Sequence, residues 1–565
     1  MRPSPRQLSA LFRTVGRVPV SLRQKALGAF YTPAPMAAAL VDWAIRTPND
    51  TVLDPSFGGL AFLSQARRRL EDLGAPQPAQ QLHGADLDPV AFDRAAGLAD
   101  EGARLVRRDF LRLSPGKSLP RATAVVGNPP YVRYQSVKAR QALGRDLAAQ
   151  KGLRLSRLAS SWAPLLLHAA DFVADGGRLA QVLPAELIHA QYAHQILDHI
   201  CERFDRVSVA MFEDHVFPGA QEEVVLLCAE GRGAGGADGV EILSFKNLGD
   251  LQLSTASGAR RRQVGPHKLL AGLLDPAALE VYDELAGGER TRRLGQLASI
   301  DIGAVTGANS FFVRPGNEVK GVPAQFLRDA VSKAAHIQGA RLGKRDLRDM
   351  DARGRPSRML VLEPDAGRID AVRRLIEEGE ATGINQRYKC RIRDPWWVLP
   401  SSQVAGPPAL FLTYMSAGFP RLAVNEAGAL STNSVHGVRL LNGTDPRVLA
   451  AGFYTSLTML SAELVGRSYG GGVLKLEPTE AERLLVARPS VGHRDLLRRV
   501  DLLVRAREYE RALDLVDRAV LVEDLGVAPE QVALLRSAAH RLRQRRLGRS
   551  VHRAQGGADL REHAV

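Results

Sequence analysis

Short apolar runs alternate with amphipathic segments along residues 28–230. The runs have the length of buried strands, and the segments between them repeat apolar residues at helical spacing. Because parallel strands need crossover connections, this alternation predicts an α/β fold with a parallel sheet. The predicted strands are Thr51–Asp54, Leu82–Asp86, Arg104–Arg107, Ala122–Val126, Arg178–Leu183, Arg206–Phe212 and Glu223–Cys228. The predicted helices include Ala61–Leu73, Pro89–Asp100, Ser160–Ala174 and Glu186–Glu202.

The pattern changes after the glycine-rich stretch at residues 231–239. From about 240 to 490, short β-like runs are separated by Gly, Pro and Asn, which predicts a second α+β domain. Residues 491–546 repeat apolar residues at helical spacing between basic ones and predict two or three helices. We therefore expect an N-terminal arm, an α/β domain, a connecting segment, an α+β domain, a helical region and a tail, at residues 1–27, 28–232, 233–298, 299–490, 491–548 and 549–565.

Composition and charge narrow the class of protein. The 565 residues are 45% hydrophobic and 24% charged, as expected for a globular protein of several domains. The net charge of +15 suits a polyanionic partner, either nucleic acid or an anionic membrane surface. Cys201, Cys228 and Cys390 lie far apart, so neither a disulfide framework nor a zinc site is expected. Without an apolar run of about 18 residues, no membrane span is expected, and we expect a cytoplasmic protein.

Acidic residues follow the first three predicted strands. Asp54 ends the first strand and precedes Gly58 and Gly59, Asp86 ends the second, and Asp109 follows the third. Ligands of open α/β sheets bind at this edge, and glycines let the backbone approach them closely. Asp86 is placed to accept hydrogen bonds from two ribose hydroxyls. Asp109 is placed to accept from an adenine amino group, with Phe110 packing on the ring.

The fourth strand ends in a rigid loop, Gly127-Asn128-Pro129-Pro130-Tyr131. Prolines fix φ and offer no N–H. The loop therefore presents acceptors, an amide at its start and an aromatic ring at its end.

The order of these motifs carries a family resemblance. FYTP at 30–33, DPSFGGLAFL at 54–63, GADLDP at 84–89, RRDF at 107–110 and NPPY at 128–131 resemble the gamma-ordered N6-adenine DNA methyltransferases of restriction–modification systems. Looser similarity continues in IGAVTGANSFFV, RIRDPWW, STNSVHGV and YGGGVLKLEP, between 302 and 478. The resemblance implies a Rossmann-like class I methyltransferase domain at 28–232, followed by a DNA target-recognition domain at 299–490.

The resemblance also implies S-adenosylmethionine as the cofactor. The positions matching the family's cofactor motifs are Phe30, Tyr31, Thr32, Pro33, Asp54, Gly58, Asp86, Asp109 and Phe110. The chain departs from the family at Leu60, where a glycine is usual, and at Phe57, near which a small residue is usual. A stiffer cofactor loop is therefore expected.

The matching catalytic positions are Asn128, Pro129, Pro130, Tyr131 and Phe217. In this interpretation the Asn128 side-chain oxygen and the Pro129 carbonyl accept the two amino hydrogens of a flipped adenine, while Tyr131 and Phe217 pack on its ring. The implied enzyme is a site-specific, adenine-specific DNA methyltransferase acting on double-stranded DNA, with a cognate restriction endonuclease as a compatible partner.

Several alternatives stay open. The same loop also serves methyltransferases of protein glutamine or of RNA, and transfer to cytosine N4 is related chemistry. In a further hypothesis, Leu60 prevents the loop from binding the cofactor, and the protein only binds DNA. Phe217 is alternatively a core residue. Trp396 and Trp397 lie either on a DNA-facing edge or in the core, and the Arg-rich C-terminal helices present either a solvated face or a surface that follows phosphates.

Overall fold

The computed structural model describes residues 32–551 except 132–137, 157–158, 191, 215, 217–222, 254–259, 263–268, 442, 470–471 and 490–493. The chain divides after Leu273 into two compact units.

A nine-stranded sheet forms the centre of the first unit. Its strands are β1 (Val52–Asp54), β2 (Leu82–Asp86), β3 (Arg104–Arg107), β4 (Ala122–Gly127), β5 (Val173–Pro184), β6 (Phe204–Phe212), β7 (Val224–Arg232), β8 (Val240–Phe245) and β9 (Arg260–Arg262). They run in the order β3-β2-β1-β4-β5-β7-β6-β8-β9. The first five are mutually parallel, and β7 is antiparallel to both β5 and β6. The predicted parallel sheet is confirmed, with β7 antiparallel inside it and β9 antiparallel to β8 at its edge.

Seven helices are described in this unit: α1 (Ala34–Ala44), α2 (Ala61–Asp72), α3 (Pro89–Asp100), α4 (Lys138–Ala149), α5 (Trp162–Asp171), α6 (Glu186–His189) and α7 (Ala193–Cys201). Asp88 caps α3 by accepting from the Val90 backbone N–H at 3.1 Å, as its position before Pro89 indicates. The central strands β1 and β4 are buried along most of their length, which explains their continuous apolar sequence.

The single helix predicted over 186–202 is wrong in its middle. Ala190 adopts an extended backbone (φ −83°, ψ 137°), which separates α6 from α7. Both sides of the break are anchored to the start of α5: Glu186 accepts from the Trp162 indole N–H at 3.0 Å, and Tyr192 stacks on the Trp162 ring. Helical periodicity does not detect such tertiary anchors.

Residues beyond 232 continue the sheet. Strand β8 pairs with β6 in parallel, from Val207 opposite Val240 to Phe212 opposite Phe245, and β9 pairs with β8. The segment 233–298, which the sequence analysis treats as a connection, thus adds two strands to the first unit and contains the start of the second.

The second unit is built from small sheets and helices. Its helices are α8 (Pro276–Gly287), α9 (Asn309–Phe312), α10 (Lys344–Ala352), α11 (Asp370–Ala381), α12 (Tyr388–Arg391), α13 (Ser401–Val404), α14 (Pro446–Phe453), α15 (Ser456–Val465), α16 (Pro478–Ala481), α17 (Arg494–Arg505), α18 (Tyr509–Val516) and α19 (Pro529–Val551). Its strands are β10 (Thr291–Arg293), β11 (Ala298–Asp301), β12 (Val313–Arg314), β13 (Leu327–Val331), β14 (Arg341–Leu342), β15 (Arg358–Leu360), β16 (Leu410–Thr413), β17 (Met415–Ser416), β18 (Leu422–Asn425), β19 (Leu430–Ser431), β20 (Val435–Leu440), β21 (Arg467–Tyr469), β22 (Val473–Lys475) and β23 (Leu485–Ala487).

These strands form four sheets, of which the largest has the order β11-β20-β16-β18-β14. The predicted C-terminal helices are confirmed as α17, α18 and α19, with a π-helical segment at Asp517–Val522 between the last two. Within the described residues no single helix has the length and apolar composition to cross a bilayer. Only the helices α14 and α15 taken together, which meet at a bend of 79°, have that length and composition.

Candidate active site

The parallel order brings the ends of β2, β1 and β4 together at one edge of the sheet. Leu53 lies opposite His83 on one side and Val125 on the other. Asp54, Asp86 and the residue after Gly127 therefore leave their strands side by side. The carboxyl ends of these strands form the candidate site.

The glycine loop after β1 is tied to the end of β2. The Gly58 backbone N–H donates to Asp86 Oδ2 at 2.9 Å, and the Asp88 N–H donates to Oδ1 at 2.7 Å. Gly58 has φ +39°, a conformation that favours glycine. The Asp86 carboxylate thus fixes both its own turn and the glycine loop.

Leu60 begins α2 in the left-handed conformation, with φ +65°. Within the described residues only Leu60 and Arg507 combine a positive φ with a side chain other than glycine's. Its backbone N–H donates to the Phe57 carbonyl at 2.7 Å. The position that the sequence marks as a departure from glycine is therefore one where glycine would be less strained.

Phe57 is accommodated by a glycine on the neighbouring strand. A Cβ atom on Gly84 would lie 2.8 Å from Phe57 Cδ1. The buried Phe57 ring also contacts the Phe92 ring edge-on, at 5.1 Å between centroids. The bulky residue in the loop is thus packed into the core and does not fill the edge of the sheet.

The two carboxyls at the edge are unusually basic. Burial, with the nearby Asp86 charge, raises the pKa of Asp54 to about 8. Burial also raises the pKa of Asp86. Asp54 is 1% exposed and accepts from the Ser56 N–H at 3.0 Å. Gly127 leaves it room, since a Cβ there would lie 3.0 Å from Asp54 Oδ1.

The Asn128 amide is held on both sides. Its Nδ2 donates to Thr32 Oγ1 at 3.0 Å, and the Tyr131 hydroxyl lies 2.5 Å from Oδ1. The same hydroxyl lies 3.0 Å from the Val182 carbonyl oxygen on β5, so its single proton has two alternative acceptors. Thr32 and Tyr131 together fix which amide atom faces which neighbour.

Serine hydroxyls hold the backbone of the loop. Ser56 donates to the Asn128 carbonyl at 3.3 Å, and Ser161 donates to the Pro130 carbonyl. In the described part of the chain no hydrogen bond reaches the Pro129 carbonyl between them. The loop is therefore anchored at its ends and keeps the Pro129 oxygen as an acceptor.

Asp109 and Phe110 follow β3 as predicted, but both have protein partners. Asp109 Oδ2 accepts from Arg140 Nε of α4 at 2.8 Å, and Oδ1 accepts from the Leu111 N–H at 3.3 Å. The Phe110 ring, 3% exposed, packs against His168 and Phe172. The structure thus places Asp109 near the edge and the Phe110 ring in the core.

Other predicted residues lie beside this cluster or outside the described part. Pro33 precedes α1 next to Thr32. Phe30, Tyr31 and Phe217 fall outside the described residues. Sequence reasoning missed Ser56, Ser161 and Arg140, which act through contacts between distant segments. Only Ser56, inside the glycine loop, carried a local signal.

Two family models match the chain. The model for "N-6 DNA Methylase" matches residues 20–202, and the model for "Type II methyltransferase M.Eco57I, C-terminal domain" matches residues 266–521. The first contains every described residue of the edge cluster.

Two curated relatives align over most of their length. The type II methyltransferase M.XamI of Xanthomonas campestris pv. amaranthicola is 27% identical over 83% of this chain and 86% of its own. The type II methyltransferase M.AccI of Acinetobacter calcoaceticus is 20% identical over 81% of this chain and 85% of its own.

A solved structure shares the fold. The type IIL restriction-modification enzyme MmeI in complex with DNA matches 95% of this chain and 78% of its own, with a TM-score of 0.54 at 13% identity. The MmeI match shows the shared fold alone. The two family models and the two type II methyltransferase relatives support an N6 DNA methyltransferase of restriction–modification systems, a class I enzyme whose cofactor is S-adenosylmethionine.

Proposed function

We propose that this protein is a site-specific DNA methyltransferase that modifies the N6 amino group of adenine within one short sequence of double-stranded DNA. The observation that carries the proposal is the Asn128 amide, oriented by Thr32 and Tyr131 at the edge where Asp54 and Asp86 also end their strands. Because two curated relatives are named type II methyltransferases, we propose that this chain is the modification enzyme of a type II system.

The edge residues fit the cofactor. The Asp86 carboxylate accepts two backbone N–H groups, which leaves lone pairs for two ribose hydroxyls. Hydrogen bonds from these ribose hydroxyls would stabilise the ionised Asp86 carboxylate, which burial disfavours. We propose that Asp54, Gly58, Asp86, Asp109 and the segment 30–33 hold the cofactor, with Phe110 supporting Asp109 from the core. When bound, S-adenosylmethionine supplies an electrophilic methyl group on its sulfonium.

Asn128 and Pro129 would activate the amino nitrogen by hydrogen bonding. The lone pair of that nitrogen is delocalised into the adenine ring, which makes it a poor nucleophile. Two acceptors, Asn128 Oδ1 and the Pro129 carbonyl, would each accept a hydrogen bond from the amino group and draw its nitrogen towards tetrahedral geometry. In this arrangement the nitrogen would attack as a neutral amine, so no strong base is required, and the proton that the methylated amino group then loses would pass to solvent.

The target base must leave the duplex to reach these acceptors. Tyr131 is half-buried, with its hydroxyl directed at Asn128 and Val182. We propose that its ring packs on one face of the base. We propose Phe217 for the opposite face of the base. Pro130 keeps the loop rigid between Pro129 and Tyr131.

We propose that residues 299–490 recognise the target sequence and that 491–548 support them. The match of residues 266–521 to the C-terminal domain of a type II methyltransferase supports this division of labour. A cognate endonuclease recognising the same sequence is the expected partner.

Methyl transfer from labelled cofactor to unmethylated genomic DNA tests the proposal. Single-molecule sequencing of the product should show modified adenines in one recurrent sequence. Parallel reactions with total RNA and with protein extract serve as controls. Transfer to either of these, with none to DNA, would contradict the proposal.

A further inference from the structure

A basic and aromatic surface in the second unit has no role in the site described above. Tyr388 is 64% exposed and Ile392 57% exposed, an unusual pair of large apolar side chains in a five-residue stretch. Between and beside them, Arg387, Lys389 and Arg391 are also exposed. We call residues 387–392 the basic ridge.

The three cations of the basic ridge lack acidic partners. In the described part of the chain, none of Arg387, Lys389 and Arg391 forms an ion pair, whereas Arg314 pairs with Glu318 and Glu378. The Lys389 ammonium lies 5.7 Å from the centre of the Tyr388 ring. The charges are thus available to an external anion.

The ridge is held rigidly from below. Arg393 donates to the carbonyls of Val305 and Thr306, the latter at 2.9 Å. Gly307, with φ +80°, allows close approach, because a Cβ there would lie 2.6 Å from Lys389 Cβ. The sequence segments around 302–313 and 391–397, similar to the family's recognition domain, therefore form one support.

The tryptophans that follow belong to this support. Trp396 is buried against Phe311 at 4.8 Å between ring centroids, and its indole N–H donates to Glu380 at 3.0 Å. Trp397 is half-buried and donates to the Glu363 carbonyl at 3.4 Å. The sequence left open whether Trp396 and Trp397 lie on a DNA-facing edge or in the core, and Trp396 lies in the core. The exposed aromatic side chain in this region is that of Tyr388.

We propose that the basic ridge contacts the sugar–phosphate backbone of the DNA substrate. Arg387, Lys389 and Arg391 would each neutralise a phosphate, and the Tyr388 ring and hydroxyl would pack on an adjacent sugar and phosphate. Charge complementarity favours DNA over a second copy of this basic chain, whose net charge is +15. The inference rests on the proposed function, since it assumes a DNA substrate.

The test compares two triple variants with equal loss of charge. The ridge variant is Arg387→Ala/Lys389→Ala/Arg391→Ala. The control, Arg345→Ala/Arg348→Ala/Arg353→Ala, removes exposed cations that have no ion pair in the described residues. Binding to a labelled 40-base-pair duplex pool of mixed sequence is measured between 0.05 and 0.3 M salt, with thermal melting as the check on folding and methyl transfer to genomic DNA in parallel.

The ridge variant should lower the slope of log K against log salt by about 3 and weaken binding roughly 100-fold at 0.1 M salt. The control should change binding by less than about threefold. Tyr388→Ala should weaken binding by a few-fold without changing the slope, because it removes no charge.

Equal effects of the two triple variants on DNA binding, or no effect of the ridge variant, would overturn the inference. If the wild-type protein still methylates DNA in that case, the proposed function is unaffected. A wild-type protein that neither binds the duplex pool nor methylates DNA would overturn both. Binding of the same variants to phosphatidylserine vesicles is measured alongside. If the ridge variant loses vesicle binding while its DNA binding is unchanged, the ridge contacts a membrane, which would also overturn the inference.

Discussion

At the scale of single residues, the proposed chemistry depends on which atom of the Asn128 amide faces the substrate. An amide can present either its oxygen or its nitrogen to a substrate, and only the oxygen accepts an amino hydrogen. Thr32 accepts from Nδ2, while Tyr131 lies against Oδ1. These two hydroxyls are positioning groups that act through Asn128.

Replacing Tyr131 by Phe keeps the ring and removes the hydroxyl. We expect kcat to fall about fivefold, because a hydrogen bond of about 1 kcal/mol that orients the amide is lost. The KM for S-adenosylmethionine should change less than twofold, since no cofactor contact is removed. Steady-state kinetics on a methylatable plasmid separate the two. An unchanged kcat would leave Tyr131 with a stacking role only.

Replacing Asp54 by Asn tests the buried carboxyl. Its pKa is about 8 in the folded protein and near 3.8 otherwise, so the folded state binds more protons between these values. Its contribution to stability is therefore full below about pH 4 and is lost as the pH rises towards 8. The free energy of unfolding of Asp54→Asn, relative to wild type, should increase over that window. Urea titrations at pH 5 and pH 8 measure it, and a pH-independent difference would contradict the assignment.

Residues of the candidate site could be predicted from the sequence only where the signal was local. Asp86 and Asn128 follow apolar strands and lie at the expected edge. The Phe110 ring lies in the core, and Asp109 pairs with Arg140, 31 residues further along the chain. Neither contact has a local sequence signal, because each depends on how α4 and α5 pack on the sheet.

At the scale of elements, the sequence predicted the bounds of the buried central strands better than those of the short strands in the second unit. The central strands are apolar on both faces, and their predicted bounds agree with β1 to β4 within about one residue. The strands of the second unit are two to six residues long, spread over four sheets and mixed with single helical turns. Such runs are too short for periodicity to assign, so only the mixed α and β character was predicted.

The last helix is anchored by a buried ion pair. Arg546 of α19 donates to both carboxylate oxygens of Glu463 on α15, at 3.0 and 2.7 Å, and also to the Ala417 carbonyl at 2.9 Å. Both side chains are less than a tenth exposed. The Arg-rich C-terminal sequence is therefore partly structural, in addition to its solvated positions.

Arg546→Ala should destabilise the second unit by about 3–5 kcal/mol, because it leaves the Glu463 carboxylate buried without its partner. The matched control is Arg541→Ala on the exposed face of the same helix, where a change within about 0.5 kcal/mol is expected. Chemical denaturation of both variants measures the difference. Equal effects would show that the ion pair contributes no more than a surface arginine.

At the scale of the whole molecule, the chain joins a nine-stranded sheet with its helices to a unit built from small sheets and helices. The sheet order places the acidic residues and the NPPY loop on one edge, as the order of motifs along the sequence predicts. The continuation of the sheet through β8 and β9 was not predicted, because the preceding glycine-rich stretch is typical of a linker.

The most direct measurement of the central claim is single-turnover methyl transfer by Asn128→Ala, together with its dissociation constant for S-adenosylmethionine. We expect transfer to DNA to fall by at least about 100-fold, because an acceptor for the amino hydrogen is lost, while cofactor affinity stays within about twofold. Transfer at the wild-type rate would contradict the role of Asn128 and with it the proposed chemistry of the site.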